Sequence, residues 1–376
     1  MSEQSKPRVL LVFGGVSSEH EISCATAGGV LRALDPHRWD VVAVGIAPGG
    51  QWVPMPLTPE TYDLRATDGY RIVPGAQRVA LLPGSRELIE YEVDEGGHLV
   101  TGSASSLGVI DVAFPLLHGP YGEDGTIQGL FEMHGLPYVG CGVNASAVCM
   151  DKGLAKTVLH AAGIPCGKWV VFFSRQWETQ ATELIERIAS ELEFPLFVKP
   201  CRQGSSVGIS KINHLGELEV AVKTAQQADP RVIVEQGMPG REIECGVLQH
   251  PDGHLQASAI GEIVVTGAEF YDYRAKYFAP DAIELFCPAD ISSDVAERVR
   301  EISLRAFQVL ECEGLSRFDF FYDEETGQLS INEVNSLPGF TPFSMYPSIF
   351  AEVGVPYSQL VDTLLQEALA RQSGLR

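Results

Sequence analysis

The chain has 376 residues, of which 45% are hydrophobic and 20% charged, and its formal net charge is −22. This length and composition indicate a folded globular protein of two or three domains rather than a disordered chain. The acidic balance argues against a broad nucleic-acid surface and against binding to anionic membranes, and no run of about 18 apolar residues predicts a membrane span. A local basic pocket for a small anion is compatible with this charge.

The cysteines and the first residues bear on the compartment. Eight cysteines occur, without a CxxC pair and without a histidine at zinc-ligand spacing. Residues 1–7 are polar and lack the apolar core of a secretion signal. We therefore expect reduced thiols and a cytoplasmic location.

The first third of the chain alternates strand and helix signals. The apolar run 8–15 ends in two glycines, which is typical of a buried parallel strand entering a turn, and Ser17 or Ser18 can cap the helix that follows. Residues 48–108 show only weak strands. The alternation predicts an open α/β layer. The other predicted elements here are a helix over 19–34, strands over 41–46 and 109–117, a loop over 118–125 and a helix over 126–134.

The rest of the chain mixes strands and helices without an internal repeat. The turn 238–240 is the candidate interdomain hinge, and 266–286 reads as a polar and aromatic loop. The predicted helices cover 144–162, 178–192, 215–227, 295–309 and 358–371. The predicted strands cover 169–173, 195–199, 207–212, 231–236, 242–248, 255–265, 317–322 and 329–334.

Three oxygen-bearing side chains near the C-terminus form a candidate metal site. Alternation along a strand puts Glu333 and Asn335 on one face. The turn 323–327 makes a hairpin, so Asp319 can lie opposite them. Carboxylate and amide oxygens suit Mg²⁺ carried in with phosphate oxygens. A solvated strand face with ordinary charges is the alternative interpretation.

Segment 197–208 is a candidate phosphate site. A strand ends at Lys199, and a Gly/Ser loop follows whose backbone amides can cradle phosphate oxygens. It is not a Walker A loop, because no GK[ST] opens a helix. Lys152, near a helix start, is a second candidate cation; a flexible hairpin tip and a solvated lysine are the alternatives.

Four further side chains are candidates for binding parts of a small ligand. Glu235 lies in a strand that leads into the hinge, where edge backbone groups and its carboxylate could bind an adenine, and Glu242 could reach a ribose. Glu19, at the start of a helix, could hold an ammonium group or only complement the helix dipole. His118 lies in a glycine-rich loop at the carboxyl end of a strand, where open sheets bind ligands.

Seven segments of the chain are distinctive in composition and order. They are GGVSSEHEIS (14–23), LLHGPYGEDGTIQG (116–129), MDK (150–152), FVKPCRQGSSVGI (197–209), YDYRAKY (271–277), RFDFF (317–321) and INEVNSLPGFTPFSMYP (331–347). Together they resemble the D-alanine–D-alanine ligases, the peptidoglycan-precursor branch of the ATP-grasp superfamily. The resemblance covers nearly the full chain in the expected order, and 48–108, its least characteristic part, is expected to hold a lineage-specific insertion.

The resemblance implies a three-domain ATP-grasp fold that clamps ATP between its last two domains. An N-terminal open parallel α/β domain (1–142) would hold the first D-alanine. An α+β central domain (143–236) would carry the phosphate loop, and an α+β C-terminal domain (237–376) the metal site and a lid loop at 266–286. The implied reaction joins two D-alanine molecules through D-alanyl phosphate and releases ADP and phosphate, with two Mg²⁺ or Mn²⁺ bound and a homodimer as the usual state.

The resemblance also implies roles for individual residues. Those expected to contact ATP are Lys152, Lys199, Ser205, Ser206, Glu235, Gln236, Met238, Glu242 and Lys276. Those expected to bind the metal ions are Asp319, Glu333 and Asn335. Those expected to bind the amino acids are Glu19, His118, Arg317, Gly339, Ser344 and Met345. The catalytic set comprises Glu19, Ser205, Tyr277, Arg317 and Gly339, in which Tyr277, Ser205 and Glu19 would join the three domains when the lid closes.

Other activities remain open on the same scaffold. A D-alanine–D-lactate or D-alanine–D-serine ligase would differ only in the nucleophile, and another ATP-grasp carboxylate–amine ligase is a more distant alternative. A nucleotide-binding regulator without turnover is disfavoured by the metal set and by Arg317. Gly237 departs from the bulky residue often found in the adenine strand, which puts ring stacking at that position in question.

Overall fold

The computed structural model describes residues 6–63, 69–265 and 283–371. Its strands are β1 (Arg8–Gly14), β2 (Asp40–Ile46), β3 (Trp52–Pro54), β4 (Gln77–Leu81), β5 (Glu87–Glu92), β6 (Ser105–Val109), β7 (Val112–Pro115), β8 (Trp169–Phe173), β9 (Leu196–Pro200), β10 (Ser210–Ile212), β11 (Arg231–Gln236), β12 (Arg241–Gln249), β13 (Leu255–Val265), β14 (Ile283–Phe286), β15 (Leu315–Asp323) and β16 (Gln328–Asn335). Its α-helices are α1 (His20–Ala33), α2 (Thr126–Met133), α3 (Val143–Met150), α4 (Lys152–Ala161), α5 (Ser174–Glu191), α6 (Leu218–Gln226), α7 (Ser293–Val309), α8 (Met345–Ala351) and α9 (Tyr357–Ala370). Single 3₁₀ turns cover Pro59–Tyr62 and Leu215–Glu217.

The N-terminal sheet has the strand order β3-β2-β1-β7. Strand β1 pairs in parallel with β2 and β7, whereas β3 adds an antiparallel edge. Residues 9–13 of β1 are fully buried, because α1 covers one face of the sheet and α2 the other. This burial on both faces explains the uninterrupted apolar run in the sequence. The expected open α/β layer is confirmed.

The start of α1 differs from the predicted cap. The N-cap residue is Glu19 rather than Ser17 or Ser18. The Ser17 hydroxyl accepts a hydrogen bond from the Glu19 amide at 3.1 Å and donates to the His118 carbonyl at 2.7 Å. The serine therefore ties the turn to the neighbouring loop, and the cap position carries a carboxylate.

Residues 48–108 contain more structure than the weak strand signals indicate. Strands β4, β5 and β6 form an antiparallel sheet. One of its faces packs Val79, Leu81 and Leu88 into the core beneath β1. The strands are short and carry several charged residues, so their alternation is a weak signal until the neighbouring sheet supplies an apolar surface.

The central sheet has the order β10-β9-β11-β8 and is antiparallel throughout. Helices α5 and α6 pack on one face through residues that include Ile188 and Val222. The predicted strand over 207–212 shortens to Ser210–Ile212, because Val207 and Gly208 lie in the turn that precedes it.

The single helix predicted over 144–162 is wrong, since two helices, α3 and α4, meet at Asp151. The backbone there has φ −88° and ψ 99°, and the Asp151 carboxylate caps α4 by accepting from the Leu154 amide. Residues of both helices share a core with the C-terminal sheet.

The domain boundaries after 142 and 236 stay a prediction.

The C-terminal sheet has the order β14-β13-β12-β15-β16 and is also antiparallel. Helix α7 packs on one face, whereas α8 and α9 lie between this sheet and the N-terminal sheet and share one core with both. Helix α8 was not predicted. Of the predicted lid loop 266–286, the last four residues form strand β14, and 266–282 lie outside the described residues. No helix in the described ranges is both long and apolar enough to cross a membrane.

Candidate active site

A buried acidic pocket lies where the N-terminal sheet ends. Glu19 is 9% exposed and His118 is 5% exposed. Gly119 has φ +76°, and a side chain there would bring its Cβ within 2.8 Å of Glu19 Oε2. Glycine is thus required so that the loop can pass directly over the Glu19 carboxylate.

Glu123 belongs to the same pocket, although the sequence drew attention only to the loop that contains it. The Gly119 amide donates to Glu123 Oε2 at 2.5 Å. Burial, and then the nearby Glu19 carboxylate, raise the pKa of Glu123 to about 8. Burial lowers the pKa of His118, with Glu19 opposing it. A protonated Glu123 and a neutral His118 leave Glu19 to provide a negative charge that an ammonium group can neutralise.

The Gly/Ser loop after β9 reaches this pocket. The Ser205 hydroxyl donates to Glu19 Oε1 at 2.5 Å and so joins the central sheet to the N-terminal domain. Ser205 and Ser206 have φ of 52° and 59°, a left-handed conformation that costs energy for residues other than glycine. The loop is anchored at its base by Asp229, which accepts from Arg202 Nη2 at 2.6 Å and from Arg202 Nε at 3.0 Å.

Lys152 links the loop to the C-terminal hairpin. It is the first residue of α4, and its Nζ donates to the Gln203 carbonyl at 2.8 Å. The same Nζ lies 3.8 Å from Glu333 Oε2. The ordinary solvated lysine, the alternative interpretation of this residue, is excluded by these contacts.

A second cationic centre consists of two buried groups, Lys156 and Glu235, and the partly buried Lys199. Lys199 Nζ lies 2.6 Å from Glu235 Oε2, and Lys156 Nζ lies 3.1 Å from Glu235 Oε1. Burial alone would raise the pKa of Glu235, but the two ammonium groups outweigh it and lower the pKa to about 2. Lys156 was not predicted as a site residue from the sequence. Its position could have indicated burial, because it lies one helical turn after Lys152 and between Ala155 and Leu159, which are both buried.

The expectation that β11 offers edge backbone groups is wrong, because β11 lies inside its sheet. The Gln236 amide donates to the Lys168 carbonyl at 3.1 Å, and the Gly237 amide donates to the Pro195 carbonyl at 2.8 Å. A Cβ at residue 237 would lie 2.9 Å from that Pro195 oxygen and 3.2 Å from the Phe197 ring. The missing bulky residue is thus explained, since Phe197 occupies the space beside Gly237.

The predicted hairpin of β15 and β16 is confirmed. Asp319 stands opposite Glu333, and Arg317 stands opposite Asn335. The Asn335 side-chain amide donates to Asp319 Oδ2 at 2.9 Å, and Arg317 grips Asp319 through two bonds of 2.7 Å. The expected metal ligands therefore lie side by side.

Glu244, like Glu123 and Lys156, was not singled out from the sequence. It lies on the adjacent strand β12, opposite Asp319, and its Oε2 is 3.0 Å from Arg317 Nε. Asp319 and Glu244 raise the pKa of Arg317 although burial opposes this. The Arg317 guanidinium thus keeps its positive charge inside the protein. It pairs with Glu244 as well as with Asp319, the expected metal ligand.

The donor set fits a hard divalent cation that arrives with phosphate. Asp319, Glu333 and Asn335 supply two carboxylates and an amide oxygen. The described residues contain no group of three or more His, Cys, Asp or Glu side chains arranged to hold a metal ion, so the remaining ligands would have to come from substrate and water.

The other expected site residues surround this centre. Glu242 is exposed on β12, and its negative charge acts on Lys199. Met238 follows Gly237 and is half-buried. Ser344 Oγ lies 2.8 Å from Thr341 Oγ1 and precedes α8, whereas the Met345 side chain is buried in the core.

Gly339 lies in the loop after β16, and the backbone of Leu337 in that loop contacts His118. Tyr277 and Lys276 lie outside the described residues.

Comparison with known proteins gives a consistent result along the chain. The family model described as D-ala D-ala ligase N-terminus matches residues 8–141, and that described as D-ala D-ala ligase C-terminus matches residues 158–366. A D-alanine–D-alanine ligase of Mycolicibacterium gilvum (strain PYR-GCK) is 48% identical over 98% of this chain and 99% of its own length.

Two solved structures have a similar fold, and each is 32% identical to this chain in sequence. The VanG D-Ala:D-Ser ligase from Enterococcus faecalis has a TM-score of 0.81 with 32% identity and covers 97% of this chain and 100% of its own. The D-alanine–D-alanine ligase from Coxiella burnetii has a TM-score of 0.76 with 32% identity and covers 97% of this chain and 94% of its own.

The raised pKa of Glu123 predicts a pH-dependent stability. Folded Glu123 keeps its proton up to about pH 8, whereas the unfolded carboxyl group loses it near 4.5. Folding therefore takes up a proton between these values, and rising pH destabilises the fold by up to about 1.4 kcal/mol per pH unit. In Glu123→Gln this loss is absent, so the melting temperature of the variant relative to the parent should rise from pH 5 to 8 and then level off. Thermal unfolding across this range, with the exposed Glu95→Gln as control, measures it; a pH-independent difference would contradict the assignment.

The Ser205–Glu19 bond predicts the mobility of the Gly/Ser loop. A hydrogen bond to a charged group contributes about 1.5–3 kcal/mol, so Ser205→Ala should speed amide exchange over 203–208 by about tenfold or more. Hydrogen exchange with mass spectrometry measures this, and Ser190→Ala on exposed α5 should leave the loop unchanged. Equal exchange in the parent and in Ser205→Ala would mean that the bond does not hold the loop.

Proposed function

The chain belongs to the D-alanine–D-alanine ligase family, and we propose that its cleft joins two D-alanine molecules with ATP, forming D-alanyl-D-alanine, ADP and phosphate. One observation supports this most strongly: the loop that carries Ser205 contacts the acidic pocket at Glu19 through the Ser205 hydroxyl and contacts the cationic Lys152 through the Gln203 carbonyl. The product is a building block of peptidoglycan.

The first step is the attack of a D-alanine carboxylate on the γ-phosphorus of ATP. Glu19 would hold the ammonium group of this D-alanine, with neutral His118 beside it. Lys152 and Lys199 would neutralise the phosphate oxygens, and the backbone of Ser205 and Ser206 would line the same loop. The carboxylate oxygen bonds to phosphorus, the bond to ADP breaks, and D-alanyl phosphate results.

The expected Mg²⁺ or Mn²⁺ ions fit beside this position. Asp319, Glu333 and Asn335 would hold them, and their chemistry is to neutralise charge on the transferred phosphoryl group. Arg317 also pairs with Glu244, so its guanidinium would keep a partner if the Asp319 carboxylate were engaged by a metal ion.

The second step is the attack of the other D-alanine's amine on the acyl carbonyl. Arg317 and the backbone amide of Gly339 would stabilise the oxyanion of the tetrahedral intermediate. The carbon–oxygen bond to phosphate then breaks and the amide forms, with release of a proton. Ser344 and the Met345 amide would receive the carboxylate of this second D-alanine, since the Met345 side chain is buried.

Adenosine recognition would use the other end of the cleft. Glu235 and the chain at Gln236 and Met238 would contact adenine, and Glu242 would contact the ribose. Because Gly237 carries no ring, we assign the apolar contact with the base to Phe197, which is half-buried beside Gly237 and on the same strand as Lys199.

The nucleophile needs a test of its own. The 48% identical relative is named for D-alanine, whereas the VanG structure of similar fold is named for D-serine. We favour D-alanine because that relative is closer in sequence. The proposal also includes a lid that would place Tyr277 over Ser205 and Lys276 near ATP. It further includes a homodimer and a cytoplasmic location.

Product analysis tests the reaction directly. With ATP, Mg²⁺ and D-alanine, we expect one ADP and one phosphate for each D-alanyl-D-alanine, and ¹⁸O from labelled carboxylate should appear in the phosphate. Parallel reactions that add D-serine or D-lactate measure nucleophile choice. AMP and pyrophosphate, or phosphate without label, would rule out the acyl phosphate, and preferential D-serine or D-lactate use would rule out the proposed nucleophile.

The metal assignment predicts how Glu333→Gln behaves. Removing one ligand charge should weaken the transition state more than ATP binding, so we expect turnover at saturating Mg²⁺ to fall about 100-fold, equivalent to about 2.7 kcal/mol, with ATP affinity within a few-fold. Steady-state kinetics and calorimetric ATP titration measure the two effects. Glu325→Gln, on the exposed hairpin turn, is the matched control, and turnover of Glu333→Gln close to that of the parent would refute the ligand role.

A further inference from the structure

Lys156 is a buried lysine that the proposed reaction does not use. It is 2% exposed, and its Nζ lies 3.1 Å from Glu235 Oε1. Glu235 is itself 5% exposed and binds Lys199 through its other oxygen at 2.6 Å. An ammonium group is costly to bury, and lysine is seldom fully buried without a partner.

The charges of these three groups show what Lys156 adds. Lys199 and Glu235 alone would form a neutral pair, and a neutral pair attracts a phosphate weakly. With Lys156 the three groups carry a net charge of +1, and each carboxylate oxygen has its own cation. Glu235 can thus hold Lys199 in place without cancelling the positive charge of the group.

Helix α4 positions Lys156 for this role. Lys152, one turn earlier on the same helix, reaches the Gly/Ser loop through the Gln203 carbonyl. The Lys156 ammonium meets Glu235 on the central sheet, so one helix supplies a lysine to each end of the same cleft.

We propose that Lys156 is a positioning residue that keeps the Lys199–Glu235 pair cationic and thereby strengthens binding of the nucleotide phosphates, without contacting the nucleotide itself. The inference rests on the proposed function, in that Lys199 must bind phosphate. Its effect should depend on the number of phosphates, because charge acts on the phosphates and not on the neutral adenosine.

Calorimetric binding of adenosine, ADP and ATP to the full chain, without D-alanine, tests this dependence. In Lys156→Met we expect adenosine affinity within about twofold of the parent, and ADP and ATP affinities lower by about tenfold or more. Lys156→Arg should restore most of the lost ATP affinity, since it keeps the charge. Lys223→Met, an exposed lysine of α6 paired with Glu219, is the control and should bind all three as the parent does.

A double variant separates charge from packing and also covers the case in which Lys156→Met fails to fold. In Lys156→Met/Glu235→Gln the carboxylate is gone as well, so Lys199 alone gives the net charge of +1. Because Glu235 is also proposed to contact adenine, the comparison uses ATP affinity relative to adenosine affinity, and this ratio should exceed that of Lys156→Met. Where only the double variant folds, its ATP affinity relative to adenosine should match that of the parent. A purely structural role for Lys156 instead predicts that adenosine affinity falls in Lys156→Met and recovers in the double variant together with ATP affinity.

The outcomes also separate this inference from the proposed function. If Lys199→Met leaves ATP binding unchanged, the phosphate role of Lys199 is wrong and the inference falls with it. If Lys199→Met weakens ATP binding but Lys156→Met does not, or if Lys156→Met weakens adenosine as much as ATP, only the role of Lys156 is overturned.

Discussion

The cleft depends on one constraint: a buried carboxylate stays ionised only where cations or hydrogen-bond donors outweigh the cost of burial, and otherwise it takes up a proton. Both outcomes occur here. Glu235 stays ionised because two lysines contact it, whereas burial and the nearby Glu19 carboxylate outweigh the Gly119 amide and raise the pKa of Glu123 to about 8. The positions of these charges therefore define where an ammonium group and where phosphates can be accommodated.

The rigidity of this arrangement comes from how the sheets are joined. Helices α8 and α9 share a core with the N-terminal sheet, so the C-terminal hairpin is fixed relative to the Glu19 pocket. The central sheet reaches that pocket through the Ser205–Glu19 bond and reaches the hairpin through Lys152. These contacts are made between groups of the protein itself, and charged groups held in fixed positions are the condition for strong stabilisation of developing charge.

Several further residues position these charged groups or the segments that carry them. The glycine at 119 lets the loop cover Glu19, and the glycine at 237 makes room for Phe197 beside the strand that carries Glu235. Glu244 gives Arg317 a partner other than Asp319. Each of these groups acts by positioning a neighbour, and none would stand out by its residue type alone.

The sequence by itself determined most strands outside 48–108, the hairpin and the motif residues, because these depend on local alternation, turn chemistry and a distinctive order of segments. The burial of β1 and the opposition of Asp319 and Glu333 were predicted in this way. Only the tertiary structure decided which charges meet. Lys156 contacts Glu235 across 79 positions of chain and Ser205 meets Glu19 across 186, and no local pattern encodes such pairings. The interior place of β11 was likewise missed, since it follows from pairing between strands that are distant in the sequence. The break at Asp151 was missed for another reason: its signal is a local cap, the Asp151 carboxylate that accepts from the Leu154 amide, inside a segment whose apolar spacing is helical on both sides.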